Sequence, residues 1–166
     1  MAHKIVDLST ILLYNLIERV EKMLLIRNVW LDMKAILRTV RQIINEELKP
    51  LNLSSSEGNL LYLLLTGSNK LQQEQLAEQL DVDKAAVSRV VNSLESKGYV
   101  IRERHNNDRR AHYICLTNKV ALIEDEVKRI YDDLYALVRH DIPDEEVYRI
   151  EQLLAQIKNN LRVVED

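Results

Sequence analysis

The sequence has few residues that interrupt helices or cross-link the chain. Its 166 residues include three glycines, two prolines and one cysteine. Glycine and proline together usually supply about 12% of a globular chain, so turns should be scarce here and helices should dominate. One cysteine cannot form an internal disulfide, which excludes a disulfide-stapled fold and favours a reducing compartment. We therefore expect a cytoplasmic protein.

Long apolar runs are missing as well. The longest uniform run is Leu60–Leu65, whereas a membrane-spanning helix needs about 18 apolar residues. The apolar-rich segment from Ile5 to Ile17 includes Asp7 and other polar residues, which break any signal-peptide core. The sequence therefore predicts no membrane segment, and its length fits one domain of about 100–200 residues with its own core.

Charge is distributed unevenly along the chain. The 23 basic and 26 acidic residues give a net charge of −3. The segment from Lys84 to His112 nevertheless holds seven basic and three acidic residues, a net charge of +4. A basic segment on an acidic body is typical of a DNA-binding surface, although composition alone also fits a solvated charged face.

The N-terminal part of the chain predicts long helical structure. No glycine or proline occurs between Met1 and Lys49, and apolar residues recur at spacings of three and four. This pattern predicts one long helix, or two in tandem, ending before Lys49-Pro50. The apolar stripe is wider than the core of one monomer easily covers, so a helix from a second subunit is the simpler solution.

The central segment alternates between helices and turns. Helices are predicted over Ser55–Thr66, Leu71–Leu80 and Lys84–Ser96. A capping box at Ser54–Glu57 starts the first of them. Asp83 is placed to cap the third, and Gly98 to end it in the left-handed conformation.

The apolar period changes from 3.6 to 2 at Tyr99. Alternating residues on both sides of the polar turn His105–Asp108 predict a β-hairpin. Two helices should follow, one from Val120 to about His140 and one from Pro143 to Leu161.

The predicted helix Lys84–Ser96 divides its residues between two faces. One face is apolar and suits the core; it holds Val87, Val90, Val91 and Leu94. The opposite face holds small or hydrogen-bonding residues: Lys84, Ala85, Ser88, Arg89 and Asn92. Such groups can approach base edges in a major groove. An isolated helix of this kind would fit an ordinary solvated face, but with the preceding helix and the hairpin it predicts a winged helix-turn-helix that binds DNA.

The turn of the hairpin is basic. Arg104, Arg109 and Arg110 surround Asp108. Guanidinium groups on a thin hairpin can enter the minor groove or clamp phosphates, and a neighbouring carboxylate can hold one of them in place. A charged tip can also be merely solubilising. Because the positive stripe continues from the helix, we predict DNA contact.

At these residues the chain resembles the MarR family of bacterial transcriptional regulators. The resemblance rests on Ala86-Val87-Ser88-Arg89, on Lys97-Gly98-Tyr99-Val100, and on Asp108-Arg109-Arg110 followed by Leu116-Thr117. It implies a mainly α fold with a small β-hairpin wing, in which N- and C-terminal dimerisation helices flank a winged helix-turn-helix. It also implies a homodimer that reads a palindrome, with Asp108 and Arg110 as the wing pair and Ser88, Arg89 and Asn92 as recognition-helix contacts.

We therefore predict one chain in three parts. Residues 1–53 form N-terminal dimerisation helices, 54–117 the DNA-binding region, and 118–166 C-terminal dimerisation helices. The predicted function is sequence-specific binding of double-stranded DNA as a transcriptional repressor. The residues before Arg27 exceed the family pattern and are expected either to strengthen the dimer or to cover a ligand crevice.

The family resemblance also implies a small aromatic or phenolic effector. Trp30, Met33 and Tyr62 could line a crevice for it, although aromatic and methionine side chains on an apolar helix face are usually core. A ligand that favours a different spacing of the two DNA-binding lobes would weaken DNA binding by linkage.

Other chemistry has little support in the sequence. Three isolated glycines form no phosphate-cradling loop, and the four histidines and Cys115 form no ligand pair at helical spacing. We therefore expect no enzyme activity, cofactor or metal. Cys115 suits a small buried residue better than a redox sensor, which needs an exposed, activated thiol. The remaining alternatives are a winged domain that docks another protein and a nucleoid protein that binds DNA without sequence choice.

Overall fold

A computed structural model describes residues 8–104 and 112–162. The chain divides into two compact units, residues 1–43 and residues 44–166. Helix α1 (Leu8–Leu48) supplies the described part of the first unit. Of the two predicted arrangements, the single long helix is the observed one. It ends at the predicted place, where a short 3₁₀ turn (Lys49–Leu51) contains Pro50, which has no backbone N–H to continue an α-helix.

The second unit is a mixture of helices and one small sheet. In chain order it contains α2 (Ser55–Thr66), β1 (Lys70–Gln72), α3 (Gln73–Leu80), α4 (Lys84–Ser96), β2 (Val100–Arg104), β3 (His112–Leu116), a 3₁₀ helix (Asn118–Leu122), α5 (Glu124–Arg139) and α6 (Asp144–Arg162). The mainly α fold with a hairpin wing is therefore confirmed.

The sheet has three antiparallel strands in the order β1-β3-β2. The predicted hairpin is confirmed, with Val100 opposite Leu116 and Arg104 opposite His112. The prediction of a helix starting at Leu71 is wrong, because Leu71 lies in β1 opposite Ile114. Pairing with a strand more than forty positions away thus overrides the local helical pattern.

The starts of α2 and α5 agree with the sequence prediction in one case and differ from it in the other. α2 begins with the predicted capping box: the Glu57 N–H donates to Ser54 Oγ at 3.3 Å, and the Ser54 N–H donates to Glu57 Oε2 at 2.7 Å. The helix predicted from Val120 begins only at Glu124, so that start is wrong. The Thr117 side chain accepts a hydrogen bond from the Lys119 N–H and starts the intervening 3₁₀ helix instead.

The core of the second unit lies among α2, α4, α5 and the sheet. Within the run Leu60–Leu65, Leu60, Leu61 and Leu64 are fully buried, and the other three residues are half-buried. Other fully buried side chains are Leu48, Leu76, Val87, Val91, Leu94, Val100, Ile114, Val127 and Tyr131. This core holds α4 with one face inward and leaves the other face outward.

A buried carboxylate joins the start of α2 to the end of α4. Glu57 is 4% exposed, accepts from Ser93 Oγ at 2.8 Å and pairs with Lys97 Nζ at 2.6 Å. Lys97 Nζ also donates to the Asn52 carbonyl at 2.7 Å. Burial raises the pKa of Glu57, but the hydrogen bonds from Lys97, the Ser54 backbone and Ser93 outweigh it, so the pKa lies below its ordinary value.

We expect Glu57→Gln to lower the free energy of unfolding by about 1–3 kcal/mol at pH 7, because the variant keeps the shape but loses the charge. A carboxyl group whose pKa is lower in the folded state stabilises the fold above its unfolded pKa, near 4.5, and loses that contribution as the pH falls. Urea unfolding at pH 7 and pH 3.5 measures both effects. The difference from the wild type should shrink at pH 3.5. An equal difference at both pH values, or an equal loss in the exposed control Glu78→Gln, would contradict this role.

Candidate nucleic-acid interface

The turn between α3 and α4 fixes the start of α4. Asp81 ends α3 in the left-handed conformation, with φ of 51°. Asp83 then caps α4 as predicted, accepting from the Ala86 N–H at 2.6 Å. Gly98, with φ of 78°, follows the end of α4 and leads into β2, which confirms its predicted role. Helix, turn, helix and hairpin are therefore linked by short segments with defined geometry.

The faces of α4 are as the sequence predicts. Val87, Val91 and Leu94 are buried and Val90 is half-buried. On the outward face, four of the five predicted contact residues are exposed and Ser88 is half-buried; the exposed ones are Lys84, Ala85, Arg89 and Asn92. The structure thus brings these five residues together on one surface, which we call the α4 face. It contains no bulky apolar side chain.

The two cationic side chains on the α4 face, Lys84 and Arg89, differ in whether an acidic side chain lies close enough to compensate their charge. Lys84 Nζ lies 3.3 Å from Glu74 Oε1, so part of its charge is compensated. Arg89 is exposed and makes no hydrogen bond or ion pair with any residue in 8–104 or 112–162. Its guanidinium group is therefore free to bind an anion such as a phosphate.

Sequence reasoning missed a contact between the hairpin and α4. Arg102 in β2 pairs through Nη1 with Glu95 Oε2 and donates through Nη2 to Asn92 Oδ1. Glu95 lies three positions after Asn92 on the same side of the helix. The Arg102 guanidinium therefore neutralises a carboxylate that lies one helical turn from Asn92. Arg102 belongs to the basic segment, but its partners depend on how the strand packs against the helix.

The wing itself is described only at its base. Arg104 ends β2 opposite His112, and its side chain is not among those that the structure describes. Asp108, Arg109 and Arg110 lie outside the described residues. The roles of these four residues stay predictions.

The single cysteine is buried in β3. Cys115 is 8% exposed. Burial, and to a smaller extent the nearby Glu103, raise the pKa of its thiol to about 11. A thiol with this pKa is protonated at neutral pH and therefore a poor nucleophile. The prediction of a buried cysteine is confirmed.

The residues predicted to line an effector crevice belong to both units. Trp30 and Met33 lie on α1 in the first unit, where Trp30 is 53% exposed and Met33 is half-buried. Tyr62, in the second unit, stacks on Tyr131 with ring centroids 4.6 Å apart and donates to Asp132 Oδ1 at 3.0 Å. Burial first, and then Asp132, raise the pKa of Tyr62. Tyr62 is thus part of an aromatic contact between α2 and α5, and its role in binding an effector stays a prediction.

Across the described ranges, no helix is both long enough and apolar enough to cross a bilayer. Within the same part of the chain, no three His, Cys, Asp or Glu side chains are grouped to hold a metal ion.

A two-helix unit joined by a tight turn, with the second helix exposed and an antiparallel hairpin after it, defines a winged helix-turn-helix protein. Residues 51–111, which contain both helices and β2, match the model of the MarR family. The winged-helix region of this chain is therefore similar to the MarR family.

Solved structures share the fold over most of the chain. Reduced AbfR bound to DNA is 23% identical, with 87% of this chain and 98% of AbfR covered and a TM-score of 0.72. A MarR transcriptional regulator from Methanosarcina mazei Go1 is 24% identical, with 82% and 99% covered and a TM-score of 0.68. A MarR mutant from E. coli in complex with operator DNA is 25% identical, with 80% and 94% covered and a TM-score of 0.67.

Proposed function

We propose that this protein is a transcriptional regulator that binds double-stranded DNA through the α4 face and the hairpin. The observation that carries this proposal is the α4 face itself, which presents polar and basic groups opposite the buried valines. An α-helix with such a face fits the major groove, which is about 12 Å wide. Two of the similar structures contain DNA. The proposed contacts are Lys84, Ala85, Ser88, Arg89, Asn92, Arg104, Asp108, Arg109 and Arg110.

The same protein should act as a homodimer, and α6 supplies the strongest support. No side chain of α6 is buried in the single chain. Its apolar residues recur every three or four positions and form one stripe, with exposed fractions from 37% to 58%: Val147, Ile150, Leu153, Leu154 and Leu161. A continuous apolar stripe of this kind marks a surface that a partner covers. We assign residues 118–166 to this interface.

α1 adds two further apolar stripes. Successive residues of an α-helix are rotated by about 100°, so the stripe of Leu16, Val20 and Leu24 lies roughly 170° around the helix from that of Met33, Ile36 and Val40. Leu16 and Leu24 are 58% and 49% exposed. One partner surface cannot cover both stripes. We therefore assign the second stripe to the dimer and the first, before Arg27, to an added contact with the partner subunit.

Dimerisation explains how the protein would choose its operator. Two α4 helices related by a two-fold axis fit successive major grooves when they lie about 34 Å apart, so the operator should be a palindrome. A repressor would bind it in this state. A small aromatic or phenolic effector that favours another spacing would release the DNA by linkage.

Selection of bound duplexes from a random pool tests this function. We expect enrichment of an inverted repeat with half-sites about 10 base pairs apart, and loss of that enrichment when cell extract supplies an effector. Retention of duplexes without any sequence choice would instead indicate a nucleoid protein. No retention of duplex at low salt would contradict the function and favour a winged domain that docks another protein.

A further inference from the structure

The side-chain oxygen of Asn92 already accepts one hydrogen bond. Arg102 Nη2 donates to its side-chain oxygen. Because arginine has only donors, the amide atom it contacts must be the oxygen and not the nitrogen, which fixes the orientation of the amide. The amino group of Asn92 has no acceptor within residues 8–104 and 112–162, and Asn92 is exposed. A ligand at the α4 face therefore meets a donor.

A second side chain on α4, Glu95, and the pairing of β2 also hold Arg102 in this position. Its Nη1 pairs with Glu95, and its side chain is only 24% exposed. It projects from β2, whose register against β3 is fixed along five residue pairs. Two partners on α4 and a paired strand thus restrain the guanidinium group.

Base recognition by asparagine depends on which of its atoms are available. Adenine is bound through both, since the oxygen accepts from N6 and the amino group donates to N7. Guanine offers two acceptors, N7 and O6, and thymine offers the acceptor O4. Cytosine presents a donor. A side chain whose oxygen already accepts from Arg102 and whose amino group is free therefore favours guanine and thymine.

We infer that Arg102 sets Asn92 to read an acceptor edge, guanine or thymine, at the base that Asn92 faces in the major groove, and to reject adenine. This assignment rests on the DNA binding proposed above. Arg102 is a positioning residue here, and Asn92 is the residue that determines specificity.

Asn92→Asp is the most direct test. An aspartate keeps an oxygen for Arg102, so the contact between β2 and α4 is preserved, but it has no donor. Duplex selection with the wild type should give guanine or thymine at one position of each half-site. With Asn92→Asp, and with Asn92→Ala, that preference should fall at least about fivefold, at the lower end of the range for one base contact. All other positions should keep their preferences.

The double variant Arg102→Met with Glu95→Gln tests the positioning. It removes the guanidinium group and the carboxylate that this group neutralises, which frees the Asn92 oxygen to accept. Adenine should then be enriched at the same position relative to the wild type. A merely structural role for Arg102 would change the affinity for all sequences alike. Circular dichroism melting identifies a variant that does not fold, in which case the two Asn92 variants decide.

The outcomes separate this assignment from the proposed function. A wild type that selects an operator, with Asn92→Asp preferring the same bases at every position, overturns the role of Asn92 alone. So does a wild type that selects adenine at the affected position. A folded double variant without any gain of adenine overturns the role of Arg102. A wild type that binds no duplex overturns both this assignment and the proposed function.

Discussion

Replacing Ile150 and Leu154 together by aspartate should convert the protein to a monomer and lower its affinity for a selected operator at least about 100-fold. Both residues lie on the apolar stripe of α6 and are 49% and 37% exposed in the single chain. Two carboxylates buried there without partners would disfavour association strongly. A monomer then binds one half-site alone and loses the advantage of a linked second site, which is typically 10²–10⁴-fold.

Sedimentation equilibrium and duplex titration measure the two effects. Gln152→Ala and Asn159→Ala serve as controls, since both residues are exposed on the side of α6 opposite the apolar stripe. They should leave dimerisation and affinity unchanged. A wild type that is monomeric at micromolar concentration, or a double aspartate variant that remains a dimer, would show that α6 is not the interface.

Charge reversal at Arg89 has the next largest expected effect. Arg89 is exposed on the α4 face and has no ionic partner among the described residues. A dimer carries it twice, and each lost contact is worth about 1–3 kcal/mol. Arg89→Glu should therefore weaken binding at least about 30-fold at fixed salt. It should also make the slope of log K against log salt less negative by about two, if both arginines contact phosphates.

Lys49→Glu is the matched control for this variant. It changes the net charge by the same amount, and Lys49 lies in the 3₁₀ turn after α1, outside the basic segment. We expect a small, long-range effect that salt screens. Equal losses in both variants would mean that binding follows the total charge, not the α4 face.

Arg110→Ala should likewise weaken binding to all sequences and reduce the salt slope, whereas Ser88→Ala should alter the preferred sequence.

Local patterns in the sequence predict most of this fold. The helix bounds follow from features within a few residues of one another, such as the capping box at Ser54 and the caps at Asp83 and Gly98. β1 was missed because its three residues, Lys70–Gln72, are too few to show a period of two. Its existence depends on β3, which is distant in the sequence. The sequence predicts too early a start for α5, because Val120 continues the helical spacing although it lies in a 3₁₀ helix.

In the candidate site, too, the sequence predicts what depends on one helix and does not predict contacts between distant elements. Helical periodicity places Ser88, Arg89 and Asn92 on one face, because that face is simply the side opposite the buried valines. It does not show that Arg102 reaches Asn92 and Glu95, since this contact depends on the strand register and on how the hairpin packs against α4. Side-chain partners between elements are set by tertiary structure, and here they decide what Asn92 can recognise.

Fluorescence anisotropy of a labelled duplex, titrated with the wild-type chain between 50 and 200 mM salt, tests the central claim most directly. A dimer with about six phosphate contacts should bind at 50 mM and lose roughly 10³-fold in affinity at 200 mM. Saturation should require two chains per duplex. Absence of binding to any duplex at 50 mM salt would contradict a DNA-binding role for the α4 face.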